Sequence, residues 1–226
     1  MKKRLTQKLL DERIDEVNFE EEKKEELKQV IEDLKESLEA RTDTSCLTAS
    51  QIGYDKRMFA MKFDKGITVF INPMIAKSLN AVLARQTDIN DKKEYILPRA
   101  SKILLYYQDE EGKMNFVQLE QEASFMACYM NDILNGVRLS DVGLEVIDEF
   151  DKASKEEQQE VINMYLKSLK DKEKLIQTEI DNDKDAKELQ KGINYMTNVF
   201  MNADAKSNMN RSQKRNLVKL ERKHKK

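Results

Sequence analysis

The run Phe125-Met126-Ala127-Cys128-Tyr129-Met130 holds no charged residue, in a chain of 226 residues of which 36% are Asp, Glu, Lys or Arg. A stretch this short cannot cross a membrane, and as a helix it would have no polar face to turn toward water. It therefore predicts a helix over residues 120–134 that is buried on most sides. Asn135-Gly136 follows it, and a glycine there suits a helix end because it tolerates the left-handed conformation that stops a helix. A helix buried on most sides needs layers of other structure around it.

Candidates for those layers lie upstream. Leu27, Val30, Ile31, Leu34 and Leu38 recur at intervals of three and four among Glu and Lys, the pattern of one amphipathic helix over residues 19–41. Short runs rich in β-branched and aromatic residues then predict strands at 58–63, 67–71, 103–107 and 115–119, with Gly66 and Asp109-Glu110-Glu111-Gly112 as hairpin turns. Beyond Asp141 the pattern is helical again, with Val161, Met164, Tyr165, Leu166, Leu169, Leu175 and Ile176 on one highly charged segment and a further helix over 184–201. Helix, antiparallel strands, buried helix and helical extension make an α+β fold.

Charge is unevenly spread. Residues 206–226 carry nine Lys and Arg against the single acid Glu221, or about +8, so a net charge of -2 leaves about -10 for the rest. The basic tail, with Lys214, Arg215, Lys219, Arg222 and Lys223, is the candidate binding segment; nucleic acid and an acidic protein surface are the partner classes open to it, beside plain solvation. Its few apolar residues would not fold it alone. The two cysteines, Cys46 and Cys128, do not make a disulfide framework. No window approaches eighteen apolar residues and the N-terminus lacks a signal-peptide core, so cytoplasmic synthesis without a membrane partner is expected.

The segment Thr44-Ser45-Cys46-Leu47-Thr48-Ala49-Ser50-Gln51-Ile52-Gly53 resembles the first signature of peptide deformylases, G-x-G-L-A-A-x-Q-I-G, matching at Leu47, Ala49, Gln51, Ile52 and Gly53. Ile71-Asn72-Pro73-Met74-Ile75 is similar to the family's I-N-P-x-I. Cys128-Tyr129-Met130-Asn131-Asp132-Ile133-Leu134-Asn135-Gly136 resembles the third signature, Q-H-E-x-D-H-L-x-G, at Asp132, Leu134 and Gly136. The second, E-G-C-L-S, is assigned to Glu94-Tyr95-Ile96-Leu97-Pro98, where Glu94 and Leu97 match. The resemblance covers residues 1–145. It implies a deformylase-like domain over 1–148, antiparallel strands around a buried central helix, followed by a helical extension over 149–205 and the basic tail over 206–226.

In that family a divalent metal is held by the cysteine of the second signature and the two histidines of the third, and the glutamate shuttles a proton. By the resemblance those positions are Ile96, Tyr129, Ile133 and Met130. Isoleucine has no lone pair, methionine has no titratable proton, and a tyrosine with a pKa of about 10 is a poor ligand at neutral pH. The one histidine of the chain is His224, in the tail. Cys46, Cys128 and Asp132 could in principle converge, but three mixed ligands without histidine are a weak metal signature, so neither metal nor cofactor is expected. Gln51, which in the family steadies the oxyanion, is retained; the alternative is an amide that bonds neighbouring backbone.

The expectation that follows is a protein that is not an enzyme, a pseudoenzyme acting as a structural or assembly component of a phage virion through its C-terminal helices and tail. The alternative is a ribosome- or RNA-associated peptide-binding module.

Overall fold

A computed structural model describes residues 12–182, with side chains through residue 174. The helix predicted over 184–201 and the tail residues Lys214, Arg215, Lys219, Arg222 and Lys223 lie outside the described residues. The chain divides into two compact units, Met1–Tyr165 and Leu166–Lys226. Within the second, residues 166–182 are described, as a continuous helix.

In chain order the elements are α1 (Lys24–Glu39), β1 (Cys46–Thr48), a 3₁₀ turn (Ser50–Ile52), β2 (Met58–Phe63), β3 (Gly66–Thr87), β4 (Glu94–Gln108), β5 (Met114–Glu120), α2 (Gln121–Leu134), α3 (Leu139–Val142), β6 (Leu144–Glu145), α4 (Asp148–Lys152) and α5 (Lys155–Asn182). The strands form one antiparallel sheet in the order β1-β2-β3-β4-β5, and β6 pairs with β4. This is the α+β architecture the sequence predicts.

Two apolar cores lie on opposite faces of the sheet. Successive residues of a strand point to opposite faces, and β2 follows that rule: Met58 and Ala60 join the core under α1, whereas Phe59 and Met61 join the core around α2. Leu27, Val30, Ile31, Leu34 and Leu38 of α1, all buried, close the first core over Leu47, Val69 and Ile71. Ala127, Cys128, Tyr129, Met130, Ile133 and Leu134 of α2 fill the second, against Phe70, Tyr95, Leu97, Ile103, Leu105 and Leu119. The uncharged run thus sits where its composition requires.

The end of α2 explains Gly136. Its N–H donates to the Ile133 carbonyl (3.0 Å) and the Val137 N–H to the Asp132 carbonyl (2.9 Å), the paired bonds of a Schellman cap. That cap needs a positive φ, and Gly136 has φ 71°.

Three boundaries differ from the sequence reading. α1 begins at Lys24, not at residue 19, because the Asn18 carbonyl and side chain accept the Glu20, Glu21 and Glu22 N–H groups and close a turn ahead of the helix. β3 runs on to Thr87, well past residue 71. Its register shifts between Ile71 and Met74 and again between Ile75 and Lys77, so alternation breaks at Asn72-Pro73, where Asn72 has φ 49°. β4 starts at Glu94, earlier than residue 103, with the buried charged Arg99 interrupting its apolar pattern.

Candidate functional site

A cleft of about 180 Å3 opens where the turn between β3 and β4 meets α2, lined by Asp88, Asn90, Asp91, Tyr129, Ile133, Val137, Arg138 and Ser140. The segment Asp88-Ile89-Asn90-Asp91 carries two residues, Asp88 and Asp91, whose side chains bond nearby backbone. Asp88 Oδ1 accepts the Asn90 N–H (2.7 Å) and Asp91 Oδ1 the Lys93 N–H (2.8 Å). Backbone bonds Asp88 N–H to Lys93 carbonyl and Lys92 N–H to Asp88 carbonyl complete the turn.

Two side chains dock this turn from other elements. The Tyr129 hydroxyl, rising from α2, accepts the Ile89 N–H at 2.9 Å. Burial, helped by the nearby charge of Asp88, raises the Tyr129 pKa well above that of free tyrosine, so the phenol stays protonated. Gln51, on the 3₁₀ turn after β1, reaches the same segment. Its Oε1 accepts the Thr48 N–H (3.0 Å) and the Thr48 hydroxyl (3.2 Å), while its Nε2 donates to Asn90 Oδ1 (3.2 Å). Gln51 therefore bonds local backbone and also spans to the cleft.

Behind the cleft, Arg99 of β4 ties sheet to helix. Its Nη1 lies 2.6 Å from Asp132 Oδ2 and its Nε donates to Gln86 Oε1 at 2.5 Å. Gln86 Nε2 in turn donates to the Phe125 carbonyl (3.2 Å). Burial raises the Asp132 pKa against the opposing pull of the Arg99 charge.

The sequence-derived positions separate in the fold. Tyr129 and Ile133 line the cleft, and Met130 is fully buried in the core beside them. Ile96 is elsewhere. Tyr95, Leu97, Ile103 and Leu105 all face the α2 core, so Ile96 points to the other face of β4, with Arg85 and Leu144 as its strand neighbours. Asp88, not Ile96, is the residue beside Tyr129 and Ile133. Gln86, two residues before Asp88, is the partner of Arg99. Sequence reading missed Asp88, Asn90, Asp91 and Arg99; the Asx-rich run at 88–91 was the available signal, and it marks a turn rather than a site.

The cysteines are not poised for chemistry. Cys46 is fully buried with its Sγ 3.6 Å from Met126 Sδ, and burial pushes its pKa up to about 11. Cys128 is also raised by burial. The donors around the cleft do not fit the divalent metal that the family implies: Asp88 offers a carboxylate, Tyr129 a protonated phenol that already accepts a hydrogen bond, and Ile133 hydrocarbon. Among the described residues no three His, Cys, Asp or Glu side chains come close enough to hold an ion. Nor is any described helix long and apolar enough to cross a membrane.

The sequence profile of the polypeptide deformylase family matches residues 3–144. The solved peptide deformylase of Thermotoga maritima is 27% identical, with a TM-score of 0.54 over 60% of this chain and 91% of that one. A class I type b peptide deformylase of Acinetobacter baumannii, solved with Met-Ala-Ser bound, is 17% identical, with a TM-score of 0.55 over 60% of this chain and 93% of that one. The Plasmodium falciparum peptide deformylase, in complex with an inhibitor, is 20% identical, with a TM-score of 0.52 over 74% of this chain and 97% of that one. Among curated proteins none matches the sequence. These matches overturn the expectation that the chain is not an enzyme, and with it the pseudoenzyme, assembly and phage-virion readings: the family and the structural neighbours are enzymes, and no match carries a sign of a phage structural role. Through residues 3–144 and the fold they build, the chain belongs to the polypeptide deformylase family.

Proposed function

We propose that the cleft between the 88–93 turn, α2 and residues 137–140 binds the N-terminal end of a peptide. The observation that carries this reading is the convergence of Asp88, Asn90 and Asp91 of the turn with Tyr129 of α2 on one polar cleft, with Gln51 bonded to Asn90. Side chains held by hydrogen bonds from several elements are preorganised, so a ligand does not have to order them. The volume, about 180 Å3, suits a chain end of one or two residues and not a long segment. A structural relative bound to Met-Ala-Ser supports the ligand class.

Each residue has a part in that binding. Tyr129 fixes the 88–90 main chain, Asp88 and Asp91 supply negative charge, and the Asn90 amide, held by Gln51, offers its polar groups to the peptide. No step through a metal is derived, because the donors present do not fit one.

Titration of the full chain with Met-Ala-Ser and with its N-formyl form, followed by calorimetry and amide shifts, tests the reading. Saturable binding of either, with shifts at Ile89, Asn90 and Tyr129, is expected. Absence of binding of both at millimolar peptide sinks it.

A further inference from the structure

The last four carbonyls of a helix have no partner within it, and in α2 three of them are met locally. The Asn135 N–H reaches the Asn131 and Asp132 carbonyls (3.1 and 2.9 Å), and the Gly136 N–H reaches that of Ile133 (3.0 Å). Leu134 is met from outside: its carbonyl accepts the Ile14 N–H and Arg57 Nη1, both at 3.0 Å. Arg57 stands just ahead of β2 and is 6% exposed. Its Nη2 donates to Asn135 Oδ1 (3.0 Å), and its Nη1 also to the Ile14 carbonyl (3.3 Å). One guanidinium thus grips the last residue of α2, the first residue after it and the N-terminal segment.

These three acceptors are uncharged oxygens, and the partial negative charge at the C-terminal end of α2 stands in for a counter-ion. An apolar side chain would fill the same space without desolvating a cation. What the guanidinium adds is direction, because its planar fork fixes two acceptors at once. The body it directs is one wall of the cleft. Val137, Arg138 and Ser140 line the cleft with Tyr129 and Ile133, and they follow Asn135 within five residues. That wall is stiff: Asp141 Oδ2 accepts the Arg138 N–H (2.9 Å), the Asp141 N–H donates to the Arg138 carbonyl (3.1 Å), and Leu139 is fully buried. Its setting is therefore decided at its root, residues 134 and 135. Arg57 is itself anchored on the other side, where its carbonyl accepts the Asn72 N–H (2.8 Å) and the Asn72 side chain brackets the Val17 main chain (2.7 and 2.8 Å). Ile14 and Val17 enter the cores on opposite faces of the sheet, which pins the N-terminal segment at both ends.

We propose that Arg57 is a positioning residue for the cleft: it sets the 137–140 wall, and a peptide end binds at full strength only while its fork holds Leu134 and Asn135. This rests on the peptide-binding reading above. Arg57 does not line the cleft; it acts through the end of α2. Without the fork the wall samples other settings, and affinity falls with the fraction of time the wall is in place.

The test titrates Met-Ala-Ser into the full chain, unmodified and as Arg57→Met, Arg57→Lys, Asn135→Ala and the Arg57→Lys/Asn135→Ala double variant, at a temperature where urea unfolding shows each to be folded. Leu38→Ala, in the core under α1 on the other face of the sheet, is the control for lost stability alone. Arg57→Met should weaken binding roughly tenfold, the effect of a wall in place about one-tenth of the time. Lysine keeps the charge but makes no fork, so Arg57→Lys should weaken binding roughly threefold. Asn135→Ala should then add nothing in the lysine background, since its prong is already lost. In the absence of peptide, the Val137 and Ser140 amide shifts should move in the Arg57 variants and stay in Leu38→Ala. Should Arg57→Met not fold, Arg57→Lys and the double variant decide the matter. Binding that is equal in the unmodified chain and the Arg57 variants sinks the positioning role and leaves the peptide reading standing, and so does a loss that Leu38→Ala reproduces. An unmodified chain that binds no peptide sinks both.

Discussion

Replacing Tyr129 with phenylalanine takes away one oxygen and leaves the ring. Tyr129 is 1% exposed, and its hydroxyl is the acceptor for the Ile89 N–H at 2.9 Å. With the ring retained the core around α2 loses almost no volume, so the cavity penalty that dominates larger truncations is absent. What remains is the N–H. An amide stripped of its acceptor and shut off from water costs about 1–3 kcal/mol, whereas a net hydrogen bond is worth about 0.5–1.5 kcal/mol. Ile89 is half-buried, so water recovers part of the loss and about 1–2 kcal/mol is expected. For a domain of this size each kcal/mol lowers Tm by about 2–4 °C.

Stability alone would not separate this from generic core damage, so the assay pairs urea unfolding with amide exchange. Exchange should quicken at Ile89 and Asn90, since the phenol anchors the turn from which Gln51 reaches Asn90. A change confined to the midpoint, with an unchanged m-value, marks a change in stability alone. Tyr95→Phe is the control. That hydroxyl bonds Asp91 Oδ2 at 3.1 Å, elsewhere in the same turn, and its loss leaves the Ile89 amide paired. A Tyr129→Phe protein with unaltered Ile89 exchange and under about 0.5 kcal/mol of destabilisation would refute the anchoring role.

Three other outcomes follow from the same geometry. Arg99→Met strands Asp132 and Gln86 and should destabilise the fold by about 3 kcal/mol at neutral pH, at the low end for a broken buried pair, because Asp132 keeps 23% of its side chain exposed. Without the guanidinium, burial raises the Asp132 pKa further. A raised folded-state value contributes stability that is present below the unfolded-state value and is lost as pH rises through the folded one, so the variant's deficit in urea unfolding should shrink on acidification, and a deficit that grows would refute the assignment. Gly136→Ala places a side chain at φ 71° and should cost about 1–2 kcal/mol, Gly136→Asn less, both read from thermal midpoints. Cys46, with its pKa pushed up to about 11, should resist thiol labelling at pH 8 until the chain unfolds; labelling at the rate of a free thiol would contradict its burial.

The parts of the fold that were legible in the sequence are those whose pattern is local. Leu27, Val30, Ile31, Leu34 and Leu38 mark α1 because a single face is buried, and Asn135-Gly136 marks the end of α2 because the cap needs a positive φ. The long arms of β3 and β4 were not legible. Asn80 has φ 53°, β3 carries two register shifts, and its stretch from Met74 to Leu83 exposes Leu79, Val82 and Leu83. Neither a period of two nor a buried face announces that strand. In β4 the charge of Arg99 is paid by Gln86 and Asp132, which lie 13 and 33 residues away, too distant for any window of sequence to pair them.

The same limit governs the site. Gln51 is readable because its neighbours repeat a signature, but Asp88 gains its position only when the 88–93 turn folds back onto α2. Strand parity decides between Asp88 and Ile96: a shift of one residue along a strand carries every side chain to the opposite face. With Tyr95 and Leu97 both facing α2, Ile96 cannot do so, whatever motif it is aligned with. Gln86, two residues before Asp88, meets Arg99 and, through it, Asp132. Two segments far apart in sequence are thereby joined by one guanidinium. That junction braces β3, β4 and α2 immediately behind the cleft, beneath the turn that Tyr129 and Gln51 hold.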